Sequence, residues 1–189
     1  MRRLYIGMNT IDPIKSAKRI AIIGNAGSGK STLAQKLHEI LGLPLYHLDQ
    51  YFWGSNWQHP DLEEYEMVHM NLCDQESWII DGMNLRFLMY RIIEADVVIL
   101  LDMPRYICFW RIFKRVITYY GEQAPHSAPG CHEKIDLKFF QFLKWVWNFR
   151  KRRLDIIIKM MEDFKDTKTI YVLKTSEEVE RFIQGLIYE

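Results

Sequence analysis

A chain of 189 residues is long enough for one domain with a sizeable core and too short for two comfortable ones. Hydrophobic residues make up 49% and charged residues 26% of the chain, and the formal net charge is only +1, so wholesale disorder is excluded. The three widely spaced cysteines do not form a disulfide framework, and no apolar stretch approaches the ~20 residues of a membrane span, so we expect a cytoplasmic protein.

The first 18 residues contain no pattern that defines an element. Leu4-Tyr5-Ile6 is too short to assign, and Asp12-Pro13 is typical of a turn. We therefore treat residues 1–18 as an N-terminal extension and residues 19–189 as a single domain.

A phosphate-binding motif follows the first predicted strand. Residues 19–23 form an apolar, β-branched run, and residues 24–31 fit G-x-x-x-x-G-K-[ST] at every fixed position. The segment from Ser31 to Leu41 places Leu33 and Leu37 on one helical face. Phosphate binding requires this order of strand, glycine loop and helix, whereas a chance glycine-rich turn would not need these flanks. The sequence therefore predicts that the chain binds a nucleoside triphosphate.

The chemistry of this loop assigns a role to its groups. Glycines let backbone N–H groups turn toward the phosphates, and the N-terminus of the following helix adds partial positive charge. We expect Lys30 to reach the β- and γ-phosphate oxygens and Ser31 to bind Mg²⁺. The predicted nucleotide-binding residues are Gly24, Asn25, Ala26, Gly27, Ser28, Gly29, Lys30, Ser31 and Thr32.

Strands and helices alternate along the rest of the chain, which predicts an α/β fold with a parallel sheet. Further strands are predicted at residues 45–48, 77–80, 96–101 and 169–173. Helices are predicted from Asp61 towards Cys73, near residues 84–94, from Pro104 to before Gly121, from Asp136 through Arg153, and from about Thr175 to about Ile187. The last helix follows Thr175-Ser176-Glu177-Glu178, which is a capping-box pattern.

Three aspartates follow predicted strands, at the edge of the sheet where ligands bind in open α/β folds. Asp81 closes an apolar strand, as a Mg²⁺-binding acid does, although Asp before Gly is also a common turn pair. Asp49 is suited either to orient or deprotonate an acceptor hydroxyl or to cap a helix. Asp102 precedes a Met-Pro pair, which favours a cap of the next helix.

The small net charge hides a strong asymmetry. Residues 105–153 contain eleven Lys or Arg and three Asp or Glu, a net charge of +8, and the remainder of the chain carries −7. The same segment holds twelve of the 26 aromatic residues. A basic, aromatic segment on an acidic body is expected to attract an anion.

The basic segment at about 105–153 is predicted to form a helical lid over the phosphates. Arg111 and Arg115 are four residues apart, so both side chains lie on one face of the predicted helix. A second helix carries Arg150. We expect Arg115 and Arg150 to stabilise the charge that develops on the transferred group, and lid closure to exclude water. The alternative is a solvated basic surface.

These features resemble the adenylate kinase-like group of P-loop kinases. The resemblance rests on the loop at residues 24–31, on Asp81-Gly82 after the third strand, on the apolar fourth strand and on the basic region before the last strand. It implies a three-layer sandwich with a five-stranded parallel sheet of order 2-3-1-4-5. It also implies a lid between strands four and five, and phosphoryl transfer from ATP.

A narrower set of motifs is similar to the family labelled DNA topology modulation proteins. The motifs are His47-Leu48-Asp49 with Trp53 and Trp57, Ala128-Pro129-Gly130-Cys131 with Glu133, and residues 142–149. The resemblance covers roughly residues 18–187. The family label does not specify a biochemical activity.

The chain departs from the adenylate kinase pattern at one place. Asp-Gly-x-Pro-Arg is replaced by Asp81-Gly82-Met83-Asn84-Leu85, with Arg86 one position late, so AMP is not indicated as the acceptor. We expect Mg²⁺-dependent phosphoryl transfer from ATP to a nucleoside, a nucleotide or another small hydroxyl compound. The alternative is an ATP-binding, DNA-associated regulator that uses the basic surface, although the sequence contains no recognisable nucleic-acid-binding motif.

Overall fold

A computed structural model describes residues 12–59 and 61–188. The strands are β1 (Arg19–Gly24), β2 (Leu45–His47), β3 (Trp78–Asp81), β4 (Val97–Leu101) and β5 (Thr169–Leu173). The helices are α1 (Asp12–Ser16), α2 (Lys30–Leu41), α3 (Leu48–Phe52), α4 (Leu62–Cys73), α5 (Leu85–Glu94), α6 (Arg105–Thr118), α7 (Leu137–Phe149), α8 (Asp155–Glu162) and α9 (Ser176–Tyr188). A short 3₁₀ helix spans Ser55–Trp57, and a π-helical turn at Arg150–Leu154 joins α7 to α8.

The strands form one parallel sheet in the order β2-β3-β1-β4-β5, which confirms the predicted α/β fold and its strand order. In the register, Ile22 of β1 lies beside Asp81 of β3, and Gly24 lies beside Leu101 of β4. Parallel strands end at one edge of a sheet. The phosphate-binding loop after β1 therefore meets the acidic ends of β3 and β4 at that edge.

Helices cover both faces of the sheet, so its central strands are apolar throughout. On one face, Ile20 and Ile22 pack in a core with Leu33 and Leu37 of α2, to which α6, α7 and α9 also contribute. On the other face, Ile23 packs in a second core with side chains of α5 and α8. The result is the predicted three-layer sandwich.

Side-chain caps set the starts of three helices close to their predicted positions. Asp61 accepts hydrogen bonds from the backbone N–H groups of Glu63 and Glu64 at the start of α4. Asn84 and Asp136 cap α5 and α7 in the same way. Each cap satisfies N–H groups that the first helical turn leaves without a partner.

The predicted capping box before α9 is confirmed. The backbone N–H of Glu178 donates to Thr175 Oγ1 at 3.1 Å. The Glu178 carboxylate accepts from the backbone N–H of Lys174 at 2.6 Å, one residue before the N-cap to which the reciprocal bond of a regular capping box goes. These two bonds fix the point at which the chain leaves β5 and enters α9.

Two expectations from the sequence are wrong. The predicted second strand included Leu48, but β2 ends at His47, and Leu48 begins α3 with Asp49 in its first turn. Asp102 does not cap α6, because α6 begins only at Arg105 and its N-terminal neighbour makes no side-chain cap. Two intervening residues leave the Asp102 carboxylate at the strand end, away from the first-turn N–H groups.

The N-terminal extension is described from residue 12 onward. Within it, Ile14 lies in the core beneath one face of the sheet. The segment Leu4-Tyr5-Ile6 lies outside the described residues. Across the described ranges, none of the helices has the length and apolar character needed to cross a membrane.

Candidate functional site

The phosphate-binding loop uses glycines at backbone conformations that other residues rarely adopt. Gly27 has φ 73° and Gly29 has φ 98°, both in the left-handed region. A Cβ at Gly27 would lie 2.4 Å from the carbonyl oxygen of Cys108 in α6. Glycine at residue 27 is therefore required both by the turn and by the close approach of α6.

Two helices of the basic segment hold this loop. Arg111 of α6 donates to the carbonyl oxygen of Ser28 at 3.0 Å, and Asn25 Nδ2 donates to the carbonyl oxygen of Val146 in α7 at 2.9 Å. Asn25 Oδ1 and Ser28 Oγ are buried and have no hydrogen-bond partner within the described ranges. The basic segment thus packs directly on the predicted nucleotide-binding residues.

Lys30 is the first residue of α2, and its ammonium group donates to the carbonyl oxygen of Asn25 at 2.8 Å. Burial lowers the pKa of Lys30, and the charges of Asp49 and Asp81 oppose this effect. The structure therefore brings the predicted phosphate-binding lysine together with the two predicted acids.

Ser31 and Asp81, the predicted Mg²⁺ ligands, are in direct contact. Ser31 Oγ donates to Asp81 Oδ2 at 2.7 Å, while Asp81 Oδ1 is hydrogen-bonded to Nδ1 of His47. A hydroxyl and a carboxylate oxygen are hard ligands of the kind that Mg²⁺ takes, so these residues fit the ion. The described residues contain no cluster of three or more His, Cys, Asp or Glu that could hold a metal alone. An ion bound here would need further ligands, which water or phosphate oxygens can supply.

Asp49 is exposed, yet it belongs to the same polar group. Burial among surrounding protein atoms raises the pKa of its carboxyl group, and the charges of Lys30 and Arg115 act in the opposite direction. Asp49 thus lies near the charges of Lys30 and Arg115, beside the phosphate-binding loop.

The two arginines predicted to stabilise the transferred group have different carboxylate partners. Arg115 Nε lies 2.8 Å from Glu133 Oε1, and Arg150 Nη1 lies 3.3 Å from Asp102 Oδ1. The positive charge of Arg115 also lowers the pKa of Asp49. Because β4 is next to β1, Asp102 and its partner Arg150 lie on the loop side of the site. The structure thus gives the two arginines separate carboxylate partners and does not join them in one ion pair.

Two loops, which contain residues 54–58 and 122–133, meet near the end of β2. The backbone N–H of Asn56 donates to the carbonyl oxygen of Gly130 at 3.0 Å, and Trp57 Nε1 donates to that of His132 at 3.0 Å. The ring of His126 lies against His47, with ring centroids 4.6 Å apart. The loop between α6 and α7 therefore covers the strand end that carries the acids.

Sequence reasoning assigned no role to three residues of this site. His47 bonds Asp81, Glu133 pairs with a lid arginine, and Arg91 is fully buried with Nη2 donating to the carbonyl oxygen of Gly82 at 2.8 Å. The position of His47 at a strand end was an available signal. Arg91 lies inside an ordinary amphipathic helix, so nothing local distinguishes it from a surface arginine.

Comparisons with known proteins bear on the fold. No protein-family model and no curated protein sequence matches the chain. Among solved structures, shikimate kinase from Acinetobacter baumannii in complex with shikimate matches with a TM-score of 0.60 and 15% identity, over 92% of this chain and 93% of that chain. A sugar kinase from Janibacter sp. HTCC2649 matches with a TM-score of 0.50 and 15% identity, over 90% and 92% of the two chains.

At these identities the likeness shows only that the chain shares the fold of these two kinases, a five-stranded parallel α/β sheet with flanking helices. The comparisons do not support the narrower resemblance to DNA topology modulation proteins.

Proposed function

We propose that the protein transfers a phosphoryl group from ATP to the hydroxyl group of a small molecule. One observation carries the proposal: the phosphate-binding loop meets the acids of the neighbouring strand ends, since Ser31 bonds Asp81 and Lys30 shares its environment with Asp49. A donor phosphate on the loop and a hydroxyl beside Asp49 would then occupy one cleft. The P-loop kinase fold supports this function.

On the donor side, Lys30 and the backbone N–H groups of residues 24–32 hold the phosphates of ATP. The bond between Lys30 and Asn25 opens when ATP binds, because the same ammonium group must reach the β- and γ-phosphate oxygens. Ser31 and Asp81 hold Mg²⁺, which neutralises phosphate charge when it is bound.

On the acceptor side, Asp49 orients the hydroxyl group and accepts its proton. The hydroxyl oxygen bonds to the γ-phosphorus, the bond from that phosphorus to the bridging oxygen breaks, and ADP leaves. The raised pKa of Asp49 makes its carboxylate a stronger base than an ordinary aspartate. The aromatic side chains of residues 51–57 form the wall beside it.

The basic segment supplies the remaining charge. Arg115 approaches the transferred group from the acceptor side and Arg150 from the loop side, and both stabilise the charge that develops there. We further propose that residues 105–153 act as a lid on a single domain at residues 19–189. Its loop covers the cleft and excludes water that would otherwise hydrolyse ATP.

A panel of nucleosides, nucleotides, sugars and small hydroxy acids tests the proposal, with shikimate included because the Acinetobacter kinase holds it. Each compound is incubated with ATP and Mg²⁺ while ADP release is followed. We expect acceptor-dependent release by the wild type and none by Lys30→Met. Lys36→Met, on the same helix, is the matched control and should keep its activity. Unchanged turnover in Lys30→Met, or no acceptor dependence across the panel, contradicts the proposal.

A second candidate function is ATP-controlled binding of nucleic acid through the basic surface. The observation in its favour is that Tyr106 is 64% and Trp110 62% exposed within the basic segment, since exposed rings beside cations stack on bases. DNA binding that weakens steeply with salt, without transfer to any acceptor, would select this function. We place either activity in the cytoplasm, because the three cysteines are free thiols.

A further inference from the structure

Arg91 is a buried cation that has no carboxylate partner among the residues that the structure describes. Its side chain is 0% exposed, and its Nη2 donates to the carbonyl oxygen of Gly82. Nε and Nη1 have no hydrogen-bond partner among residues 12–59 and 61–188, and none of the ion pairs formed within those ranges includes Arg91. An unpaired charge in the protein interior is costly, so buried guanidinium groups are normally paired.

The surroundings of Arg91 place it on the acceptor side of the site. Gly82, which accepts its hydrogen bond, directly follows Asp81 at the end of β3. Burial lowers the pKa of Arg91, and Cys73, followed by Tyr65, Asp81 and Asp49, opposes this effect. The guanidinium therefore lies near the strand end that carries Asp81.

A second polar group near Arg91 also lacks a partner. The hydroxyl of Tyr65 on α4 is buried and makes no hydrogen bond to any described residue. Burial raises the pKa of Tyr65 to about 12 and the charge of Arg91 opposes this shift, so the hydroxyl is protonated at neutral pH. Phe87 of α5 packs against Tyr65 with ring centroids 5.4 Å apart, which holds α4 beside α5. These two helices together present three groups that can each donate a hydrogen bond.

We propose that Arg91 and Tyr65 bind an anionic group of the acceptor, which is therefore a hydroxy compound carrying a carboxylate or a phosphate ester. This inference rests on the function proposed above. An oxyanion would accept from Nε, Nη1 and the tyrosine hydroxyl and would neutralise the buried cation. The acceptor would then be anchored at one end by Arg91 and would present its hydroxyl to Asp49.

Binding of the anion requires a movement of the protein. Arg91 is fully enclosed, and α4 packs against α5 over it. The acceptor therefore reaches Arg91 only when α3 and α4 move away from α5, and closure follows once the charges are paired. Partial opening costs free energy that the new charge-assisted hydrogen bonds offset.

Matched pairs of acceptors test the chemical class. Each pair offers one hydroxyl compound without and with an anionic group: glycerol and glycerate, ribose and ribose 5-phosphate, adenosine and AMP. With saturating ATP and Mg²⁺, we expect turnover only with an anionic member. The carboxylate and phosphate pairs then distinguish the two sources of the oxyanion. Equal kcat/KM for a neutral and a charged member overturns the proposal.

Two arginine variants test the residue. Arg91→Met should lower kcat/KM for the anionic acceptor about 100-fold, mainly through KM, because hydrogen bonds to a charged group are lost. Arg86→Met, which removes an exposed arginine of the same helix, is the matched control and should leave kcat/KM unchanged. If Arg91→Met fails to fold, Arg91→Lys should show the same defect, since lysine lacks the planar fork. A loss confined to kcat would instead assign Arg91 an internal electrostatic role and overturn the proposal.

A binding experiment separates this proposal from the proposed function. With the loop saturated by ADP and Mg²⁺, acetate or inorganic phosphate is titrated while Tm is measured. We expect an increase of Tm for the wild type and Arg86→Met but not for Arg91→Met, even if no acceptor is turned over. An equal increase of Tm in Arg91→Met, or no increase in the wild type, overturns the anion site. Neither result bears on phosphoryl transfer.

Discussion

Ser31 Oγ donates a 2.7 Å hydrogen bond to Asp81 Oδ2 across a separation of 50 residues in the chain. The contact follows from the order of the sheet. Strands β1 and β3 are neighbours with Ile22 beside Asp81, so the helix that follows β1 begins next to the end of β3. A hydroxyl and a carboxylate are thereby held together by the most buried part of the fold.

If this pair holds Mg²⁺, removing either oxygen weakens binding of the same ion. Ser31→Ala and Asp81→Asn should each raise the Mg²⁺ concentration for half-maximal ATP turnover by roughly 10- to 100-fold. The double variant should show less than the product of the two effects, because both residues act on one ion. A Mg²⁺ titration of the three variants checks this. Effects that multiply fully would mean that the residues act at separate places.

The parts of the fold that the sequence predicts are those with local signals. The apolar run before residue 24, the glycine spacing of residues 24–31, and the helix starts at Asp61 and Asp136 each depend on a few neighbouring residues. These elements all form where they were predicted. The strand order required the resemblance to P-loop kinases, because periodicity does not specify which strands pair.

The remaining parts of the site depend on contacts between residues far apart in the chain. His47 bonds Asp81 over 34 residues, so the position of His47 at a strand end does not by itself identify Asp81 as its partner. In the sequence, Arg91 cannot be distinguished from a surface arginine of an amphipathic helix, because only the packing of α4 buries it. A short apolar run is compatible with either a strand or a helix. The sequence predicts a strand at Leu48, whereas the structure places Leu48 at the start of α3.

The pH dependence of activity should reflect the ionisation of the Asp49 carboxyl group. Burial raises the pKa of this carboxyl group above its ordinary value near 3.8. Because the ionised form accepts the proton of the acceptor, kcat/KM should fall as the pH is lowered through this raised pKa. Asp49→Asn should lose this acid limb together with most of its activity, by about 100-fold or more. A pH–rate profile that is the same in wild type and Asp49→Asn would exclude the role.

Asp49→Asn should also change the free energy of unfolding, and the direction of the change follows from the raised pKa. A carboxyl group whose pKa is higher in the folded than in the unfolded protein destabilises the fold when both states are ionised. Asp49→Asn should therefore be more stable than the wild type at pH 7. The difference should vanish as the pH falls through the raised pKa towards 3.8. Denaturant unfolding at several pH values measures it.

Acid stability should also depend on His69. This side chain on α4 is 1% exposed, and burial, followed by the charge of Arg91, lowers its pKa from 6.5 to about 3. Above pH 6.5 both folded and unfolded states hold it neutral; below that, only the unfolded state binds the proton. Stability should fall between pH 6.5 and about 3, by on the order of 1.4 kcal/mol per pH unit from this residue.

His69→Phe separates this contribution from other acid effects. Phenylalanine does not titrate and fits among the neighbouring rings of Tyr65 and Phe87. The free energy of unfolding of this variant should decrease less steeply than that of the wild type below pH 6.5. Above pH 7 the free energies of unfolding of the wild type and of His69→Phe should change with pH in the same way. Identical acid dependence would show that His69 is protonated in the folded protein.

Arg115 and Glu133 form an ion pair whose structural and chemical roles can be separated. Glu133 is 4% exposed, and burial raises its pKa against the opposing charge of Arg115. Arg115→Met should lower kcat about 100- to 1000-fold if the guanidinium stabilises the transferred group. It should also destabilise the fold, because it leaves a buried carboxylate unpaired, and this deficit should shrink at low pH as Glu133 is protonated. The double variant Arg115→Met/Glu133→Gln removes the unpaired charge, so its Tm should recover while its kcat remains low. Recovery of kcat together with Tm would mean that Arg115 only supports the lid loop.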